Sequence, residues 1–241
     1  MMTRKDFLIG AAATAATASA IDGECIEGAW GRARGLTGGA FMGTLLAQQG
    51  GEPKPYLREV AYLESTGTQY IDCGFSPSSS DGNLFELDAQ YVGDNVVGCL
   101  YGAVERSRYF YQINKNTVGN VYRIITYNGD TDYVYSAAVS GMHKYAIAGN
   151  VLSIDGQYVK TGKLQGDINS RLILFARSVD NTINQFGKWR IRSCKYTRNG
   201  NVILDAIAVL DNNAKPAMYD RASKSFLYNK ASGDDFVWAE L

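Results

Sequence analysis

The sequence predicts an all-β domain, built as a sandwich or a barrel, and three observations carry this prediction. From Tyr56 onward, short runs rich in Val, Ile, Tyr and Phe alternate with clusters of Gly, Asn, Asp and Ser. Asn-Gly and Asp-Gly pairs separate several of these runs, and such pairs readily supply the positive φ angles of tight hairpins. No long segment shows helical periodicity. Many short strands joined by hairpins are typical of β-sandwiches and barrels.

The apolar runs themselves are the predicted strands. They are residues 85–92, 109–113, 122–127, 145–148, 171–176 and 201–209. The clearest hairpins are residues 152–159, which turn at Asp155-Gly156, and residues 192–204, which turn at Asn199-Gly200. In the first hairpin Leu152 and Ile154 should face the core, followed after the turn by Tyr158 or Val159.

The N-terminus has the three parts of an export signal. Arg4 and Lys5 are followed by an uncharged, Ala-rich segment and then by the small residues Ala18-Ser19-Ala20. This pattern predicts a signal peptide over residues 1–20, because the apolar run is short for a membrane span; a buried N-terminal helix is the alternative. Residues 3–9 also resemble a twin-arginine signal with Lys5 in place of the second arginine, so the Sec and twin-arginine routes both stay open. The expected location is periplasmic, cell-surface or extracellular.

Residues 21–55 are Gly-rich and predict a linker or arm, and residues 56–241 form the predicted domain. Removing residues 1–20 leaves 22 basic and 23 acidic side chains, a net charge of −1. A nucleic-acid-binding protein normally has a basic excess that neutralises phosphates. We therefore expect no nucleic-acid partner, and no membrane span in the mature chain.

Several segments of the domain resemble a bacterial, laminin G-like branch of the concanavalin A-like lectin/glucanase superfamily. The most specific is the opening segment 62–72, Tyr-Leu-Glu-Ser-Thr-Gly-Thr-Gln-Tyr-Ile-Asp, although Cys73-Gly74 follows where the family usually has Thr-Gly. The hairpin at 152–159, the segment 190–207 and the closing segments 216–220 and 226–229 resemble the family as well. The resemblance implies an antiparallel two-sheet jelly roll with one concave sheet. Related domains bind glycans or proteins, and some hydrolyse polysaccharides, so the fold alone does not decide the function.

Two features bear on catalysis. Glu86 and Asp88 alternate on one predicted strand and should share a face, as acidic residues do in glycosidases of the superfamily. The third acid of that pattern is missing, because Gln90 and Tyr91 follow, and retaining hydrolysis needs two carboxyl groups about 5 Å apart. His143 is the only histidine of the chain, and no Gly-x-Ser-x-Gly nucleophile motif accompanies it. We expect a solvated strand face and a structural histidine, and no catalytic residue.

Aromatic side chains are the strongest positive signal for binding. The tyrosines alternate along neighbouring predicted strands, and a sugar ring stacks on such aromatic faces. The alternative is that half of them fill the core and the rest are ordinary surface residues of the strands. The candidate binding residues are Tyr109, Tyr111, Tyr127, Tyr133 and Tyr135.

Neither the cysteines nor the loop aspartates form a recognised metal motif. The four cysteines, Cys25, Cys73, Cys99 and Cys194, contain no Cys-x-x-Cys pair, so they are either core residues or disulfide partners of undetermined connectivity. No cofactor is expected, although calcium on the loop residues Asp130, Asp132, Asp155 or Asp180 stays open.

Taken together, these residues favour an exported, non-catalytic recognition module that binds a glycan or a cell-surface protein. Two alternatives remain open from the sequence. One is a degenerate or unusual glycan hydrolase, and the other is a purely structural surface or filament subunit.

Overall fold

The computed structural model describes residues 53–78, 82–93, 98–105, 109–116, 121–126, 141–161 and 168–241. Of residues 109–116, 121–126 and 160 it describes the backbone alone. All these residues belong to one compact unit, Gly51–Leu241. The predicted signal peptide lies outside the described residues, as does the predicted arm except for its last three residues. No helix of the described ranges is long and apolar enough to cross a membrane.

The described residues form an all-β sandwich of two mainly antiparallel sheets. The first sheet has eleven strands, and eight of them follow the order β10-β9-β8-β4-β14-β15-β16-β17. Strand β1 adds to β15, while β2 pairs with both β14 and β18. Its strands are β1 (Arg58–Glu59), β2 (Tyr62–Glu64), β4 (Asn83–Tyr91), β8 (His143–Ala148), β9 (Val151–Ile154), β10 (Gln157–Thr161), β14 (Trp189–Arg198), β15 (Asn201–Leu210), β16 (Pro216–Asp220), β17 (Ser225–Leu227) and β18 (Val237–Ala239).

The second sheet has seven strands and is shorter. Its order is β13-β12-β5-β11-β3, with β6 and β7 added beyond β5. Only the pairing of β12 with β5 is parallel among the described strands. Its strands are β3 (Ile71–Asp72), β5 (Gly98–Glu105), β6 (Tyr109–Asn116), β7 (Val121–Thr126), β11 (Ile173–Leu174), β12 (Arg177–Val179) and β13 (Thr182–Asn184).

Both predicted hairpins are confirmed. Asp155 and Gly156 have φ angles of 51° and 75°, and Asn199 and Gly200 have φ angles of 50° and 79°. These positive angles match the twist of the flanking strands, so β9 turns tightly into β10, and β14 into β15. Leu152 and Ile154 are buried as predicted.

After the first of these turns, Val159 packs against the core while Tyr158 remains 67% exposed. The sequence had left open which of the two would face inward. The register of β10 against β9 shifts between Tyr158 and Lys160.

The core lies between the two sheets. Side chains of the long strand β4 alternate, so Phe85, Leu87 and Ala89 are buried and the residues between them are half-exposed. They pack in one cluster with Ile71 and Leu174 of the second sheet. Burying the apolar faces of both sheets against each other is what stabilises the sandwich.

Two glycines let the sheets approach closely at one end. A Cβ on Gly98 would lie 2.5 Å from Cα of Gly187, and a Cβ on Gly187 would lie 2.4 Å from the carbonyl oxygen of Cys99. The adjacent Trp189 is fully buried and donates its indole N–H to the carbonyl of Gly98 over 3.3 Å. Glycine is therefore required here because no side chain fits between the backbones.

The two ends of the domain meet in the first sheet. Strand β18 pairs with β2, with Trp238 opposite Leu63. Phe236 is 3% exposed in the core, Trp238 packs against the core from its edge, and Val237 between them is exposed.

Candidate functional site

The candidate site is a groove at the β3 edge of the second sheet. Two adjoining clefts of about 540 Å³ and 500 Å³ share Tyr70 and Lys230, and together we call them the Tyr70 groove. Pockets that bind small molecules are commonly of this size. Four segments line the groove, at residues 68–72, 171–173, 178–186 and 230–232.

The first wall of the groove is fixed by a buried amide. Gln69 is 1% exposed, and its Oε1 accepts hydrogen bonds from the backbone N–H of Thr66 at 2.9 Å and from the hydroxyl of Ser65 at 3.2 Å. Its Nε2 donates to the carbonyl of Asp234 at 3.2 Å. The opening segment that resembles the lectin-like family therefore has a structural role here, because Gln69 ties it to the C-terminal segment next to Tyr70.

Tyr70 and Lys230 are held side by side by backbone hydrogen bonds. The N–H of Lys230 donates to the carbonyl of Tyr70 at 3.0 Å. The N–H of Tyr70 in turn donates to Oδ1 of Asn229 at 3.2 Å, and that same oxygen accepts from the N–H of Ala231 at 3.0 Å. This arrangement fixes the two backbones next to each other without using either side chain, and both residues line the two clefts.

An ion pair forms part of the groove. Nη1 of Arg171 lies 2.9 Å from Oδ2 of Asp72, and the side chains are 58% and 23% exposed. The other oxygen of Asp72 accepts from the N–H of Gly74 at 2.8 Å. Because Asp72 is anchored in this way, it holds one side of the guanidinium of Arg171 and leaves the remaining donors toward solvent.

The rest of the lining combines aromatic, apolar and polar groups. The rings of Tyr70 and Phe186 are 6.0 Å apart and inclined at 57°. Ile173 is buried and Ile183 is partly buried, and Asn181 is exposed in the β12–β13 turn at a φ of 65°. A surface with aromatic, amide and ionic groups in one concavity is suited to polyhydroxylated ligands, since apolar and hydrogen-bonding faces alternate on a sugar.

Ser178 is a buried polar residue in this lining. It is 0% exposed, and its hydroxyl has no hydrogen-bond partner within the described part of the chain. Buried hydroxyls nearly always have a hydrogen-bond partner, so the hydroxyl of Ser178 is an exception to that rule.

The tyrosines proposed from the sequence are only partly within the described residues. Tyr109 and Tyr111 lie on β6, opposite Glu105 and Ala103 of β5. Tyr127, Tyr133 and Tyr135 lie outside the described residues. Their role in binding stays a prediction.

The acidic pair on β4 lies on the outer face of the first sheet, as predicted. Glu86 and Asp88 are 26% and 23% exposed. Glu86 forms an ion pair with Lys144 at 2.7 Å, and Asp88 forms one with Arg192 at 3.1 Å. Asp88 also accepts from the hydroxyl of Ser193 at 3.0 Å. Each carboxylate is thus engaged by its strand neighbours on a face remote from the core.

His143 is the first residue of β8 and contacts the next hairpin. Its Nδ1 lies 2.6 Å from Oδ2 of Asp155, whose other oxygen accepts from the N–H of Lys144 at 2.9 Å. These two hydrogen bonds, that of His143 first, lower the pKa of the Asp155 carboxyl. The contact ties the β9–β10 turn to β8, which agrees with the structural role that the sequence predicts.

The described cysteines are buried thiols. Cys73, Cys99 and Cys194 are each less than a tenth exposed, and burial raises the pKa of Cys73 and Cys194 well above the ordinary value. Cys25 lies outside the described residues. Thiols with raised pKa values are poor nucleophiles, so we interpret the described cysteines as core residues.

Of the loop aspartates considered for calcium, the two that are described lie in turns of different sheets. Asp155 lies in the β9–β10 turn of the first sheet and Asp180 in the β12–β13 turn of the second, while Asp130 and Asp132 lie outside the described residues. Within the described ranges, no group of three or more His, Cys, Asp or Glu side chains is placed to hold a metal ion.

Comparison with known proteins adds no assignment. The chain matches no protein-family model and no curated protein. The Tyr70 groove is therefore interpreted from its own geometry.

Proposed function

We propose that this protein is an exported, non-catalytic recognition module with a lectin-like jelly-roll fold that binds a glycan on a surface partner through the Tyr70 groove. The observation that carries the proposal is the composition of the groove. Tyr70 and Phe186 offer aromatic faces, while Arg171, Lys230 and Asn181 offer hydrogen-bond donors around them. Glycan recognition needs both kinds of group in one concavity.

Two further features support recognition over hydrolysis. Among the described residues that line the groove, Asp72 is the single carboxylate, and it is engaged by Arg171 and by the N–H of Gly74. Hydrolysis by the usual route needs a second carboxyl group across the bond that is cleaved. The acids that alternate on β4, Glu86 and Asp88, are in ion pairs on the other sheet. The export signal adds the expectation that the partner lies outside the cytoplasm.

Glycan-array binding by the purified full chain tests the proposal. We expect a subset of glycans to bind, and we expect Tyr70→Ala to weaken that binding at least tenfold. Tyr158→Ala is the matched control, because Tyr158 is an exposed tyrosine on β10 of the first sheet. The melting temperature of each variant shows whether weaker binding results from loss of the site or from loss of the fold.

Three results would count against the proposal. If no glycan binds, the result favours the alternative that the protein is a purely structural surface or filament subunit. If glycans bind but Tyr70→Ala has no effect while substitutions of Tyr109 and Tyr111 do, the predicted tyrosine surface is the site. If polysaccharides are cleaved and Glu86→Gln slows the cleavage, the protein is a hydrolase.

A further inference from the structure

The Tyr70 groove has more cationic than anionic groups, although the chain as a whole is neutral. Among the described residues, its lining contains Arg171 and Lys230 and the single carboxylate of Asp72, whereas the whole chain has 24 basic and 24 acidic residues. This local excess of positive charge is therefore a property of the site and not of the overall composition.

The two cations differ in how they are engaged. Arg171 is paired with Asp72 through one nitrogen. The ion pairs formed among the described residues do not include Lys230, whose exposed ammonium stands on a loop fixed by backbone bonds to Tyr70. Lys230 lines the same cleft as Arg171, and among the described residues its ammonium has no carboxylate partner. Two cationic side chains in one cleft are suited to receive an anionic group.

The surroundings of these cations select among anions. Tyr70 and Phe186 provide aromatic faces next to Lys230 in the second cleft, and a bare inorganic anion has no apolar face to place there. A sugar with an acidic substituent has both parts, since its C–H face packs on a ring while its anionic group meets the cations.

We propose that the Tyr70 groove recognises acidic glycans, with Lys230 and Arg171 binding the carboxylate or sulfate group and Tyr70 and Phe186 contacting the sugar ring. This inference rests on the proposed function and specifies its ligand class. Asp72 acts as a positioning residue, because it orients Arg171 and does not itself meet the anion.

The test compares acidic glycans with counterparts from which one kind of acidic group has been removed, on the same array and using the full chain. The probes are oligogalacturonic acids with their methyl esters, and heparin fragments with their desulfated forms. We expect binding to the acidic members and at least a tenfold loss on esterification or desulfation, the two treatments distinguishing carboxylate from sulfate. Binding should also weaken as salt rises from 50 to 500 mM, because the contacts are exposed to screening.

Charge variants with matched controls assign the effect to the groove. Lys230→Gln and Arg171→Gln should each lower affinity for the acidic probe about tenfold while leaving the melting temperature unchanged. Arg192→Gln is the control for Arg171→Gln. The side chains of Arg192 and Arg171 are 53% and 58% exposed, and each is paired with a strand aspartate whose side chain is 23% exposed. Lys224→Gln, in the exposed turn before β17, is the control for Lys230.

The outcomes separate the inference from the function on which it rests. Binding of neutral glycans with no gain from an acidic group overturns the inference and leaves the recognition function standing. A second result also overturns the inference. If the Arg192 and Lys224 variants weaken the binding of acidic glycans as much as the groove variants do, nonspecific charge attraction explains the data. Absence of any binding overturns both.

Discussion

The phenyl ring of Phe85 on β4 meets the phenol ring of Tyr101 on β5 edge to face, with ring centroids 4.8 Å apart and planes at 82°. The two strands belong to different sheets, so this contact joins the two layers of the sandwich. Phe85 also meets Tyr196 of β14 at 5.9 Å. An aromatic pair in this geometry contributes to stability beyond the area that it buries.

Truncating Phe85 should therefore destabilise the whole domain. We expect Phe85→Ala to lower the free energy of unfolding by about 3–5 kcal/mol, because it removes a fully buried ring and leaves a cavity between the sheets. Urea denaturation measures the change. Val202→Ala, at a position 44% exposed, is the control and should stay within about 0.5 kcal/mol of wild type. Equal stability of the two variants would show that the sheets do not share this core.

Local chemistry made the hairpins predictable from the sequence. Asp155-Gly156 and Asn199-Gly200 adopt positive φ angles that few other pairs tolerate, so these turns are largely determined by their own residues. The long strand β4 was also predictable, because its apolar residues alternate with polar ones, and β15 was predictable as an apolar run that follows the Asn199-Gly200 turn.

The region from residue 171 to residue 184 was predicted less well. The sequence predicts one strand over residues 171–176, whereas the chain forms the two-residue strand β11 and then β12. Between them Phe175 has a φ of 65°, an unusual angle for a bulky residue. Its ring centroid lies 4.8 Å from that of Phe236, with the two planes inclined at 37°. A contact with a residue 61 positions later in the chain cannot be read from the local pattern.

The Tyr70 groove could not be predicted for the same reason. Its residues come from four separate segments, and only the pairing of strands and the loop at Asn229 bring them together. The sequence did identify the segment that contains Tyr70 and Asp72, but as a mark of fold. Its aromatic signal pointed instead to tyrosines whose side chains lie outside the described part of the chain.

Asp211 makes stability depend on pH. Its carboxylate accepts hydrogen bonds from the N–H of Lys215 at 2.9 Å, the N–H of Asn213 at 2.8 Å and the hydroxyl of Tyr228 at 2.8 Å. These bonds, that from Lys215 first, lower the pKa of Asp211 in the folded state. A carboxyl group whose pKa is lowered on folding stabilises the fold above its unfolded pKa of about 3.9, and the contribution is lost as pH falls through the folded pKa.

The prediction concerns Asp211→Asn, which keeps an acceptor oxygen and removes the charge. We expect this variant to be less stable than wild type at pH 7, by about 1.5–3 kcal/mol if the charge-assisted bonds are lost. The difference should shrink progressively below about pH 4. Unfolding curves from pH 2 to pH 7 measure it. A difference that stays constant over this range would show that the charge of Asp211 does not contribute.

Ser178 and Ser170 provide a matched comparison of buried hydroxyls. Both serines are at most 2% exposed, but within the described part of the chain only the hydroxyl of Ser170 is bonded, to the carbonyl of Val104 at 2.6 Å. We expect Ser170→Ala to cost about 0.5–1.5 kcal/mol for the lost hydrogen bond, and Ser178→Ala to leave stability unchanged or to raise it by about 1 kcal/mol. Thermal melting checks both. A loss at Ser178 as large as that at Ser170 would mean that Ser178 has a partner, such as a buried water.

The closing segment 236–238 gives the last prediction, because its two aromatic residues are buried to different extents. Phe236 is 3% exposed and packs on Phe175 in the core, whereas Trp238 lies at the core edge with the guanidinium of Arg58 5.1 Å from its ring. The sequence predicts that both rings face inward, and it does not distinguish them. From the burial we expect Phe236→Ala to cost about 3–5 kcal/mol, and Trp238→Ala to cost less.

Val237→Ala is the internal control for both substitutions. Val237 lies between the two aromatics on the opposite face and is 48% exposed, so its truncation should change stability by no more than about 0.5 kcal/mol. Chemical denaturation of the three variants should rank them Phe236, Trp238, Val237 in order of decreasing loss. The pairing of β18 with β2 brings the first and last parts of the domain together in one sheet. Removing the buried ring of Phe236 should therefore weaken the packing of both parts. If Phe236→Ala is as stable as Val237→Ala, the C-terminal strand is peripheral and does not close the sandwich.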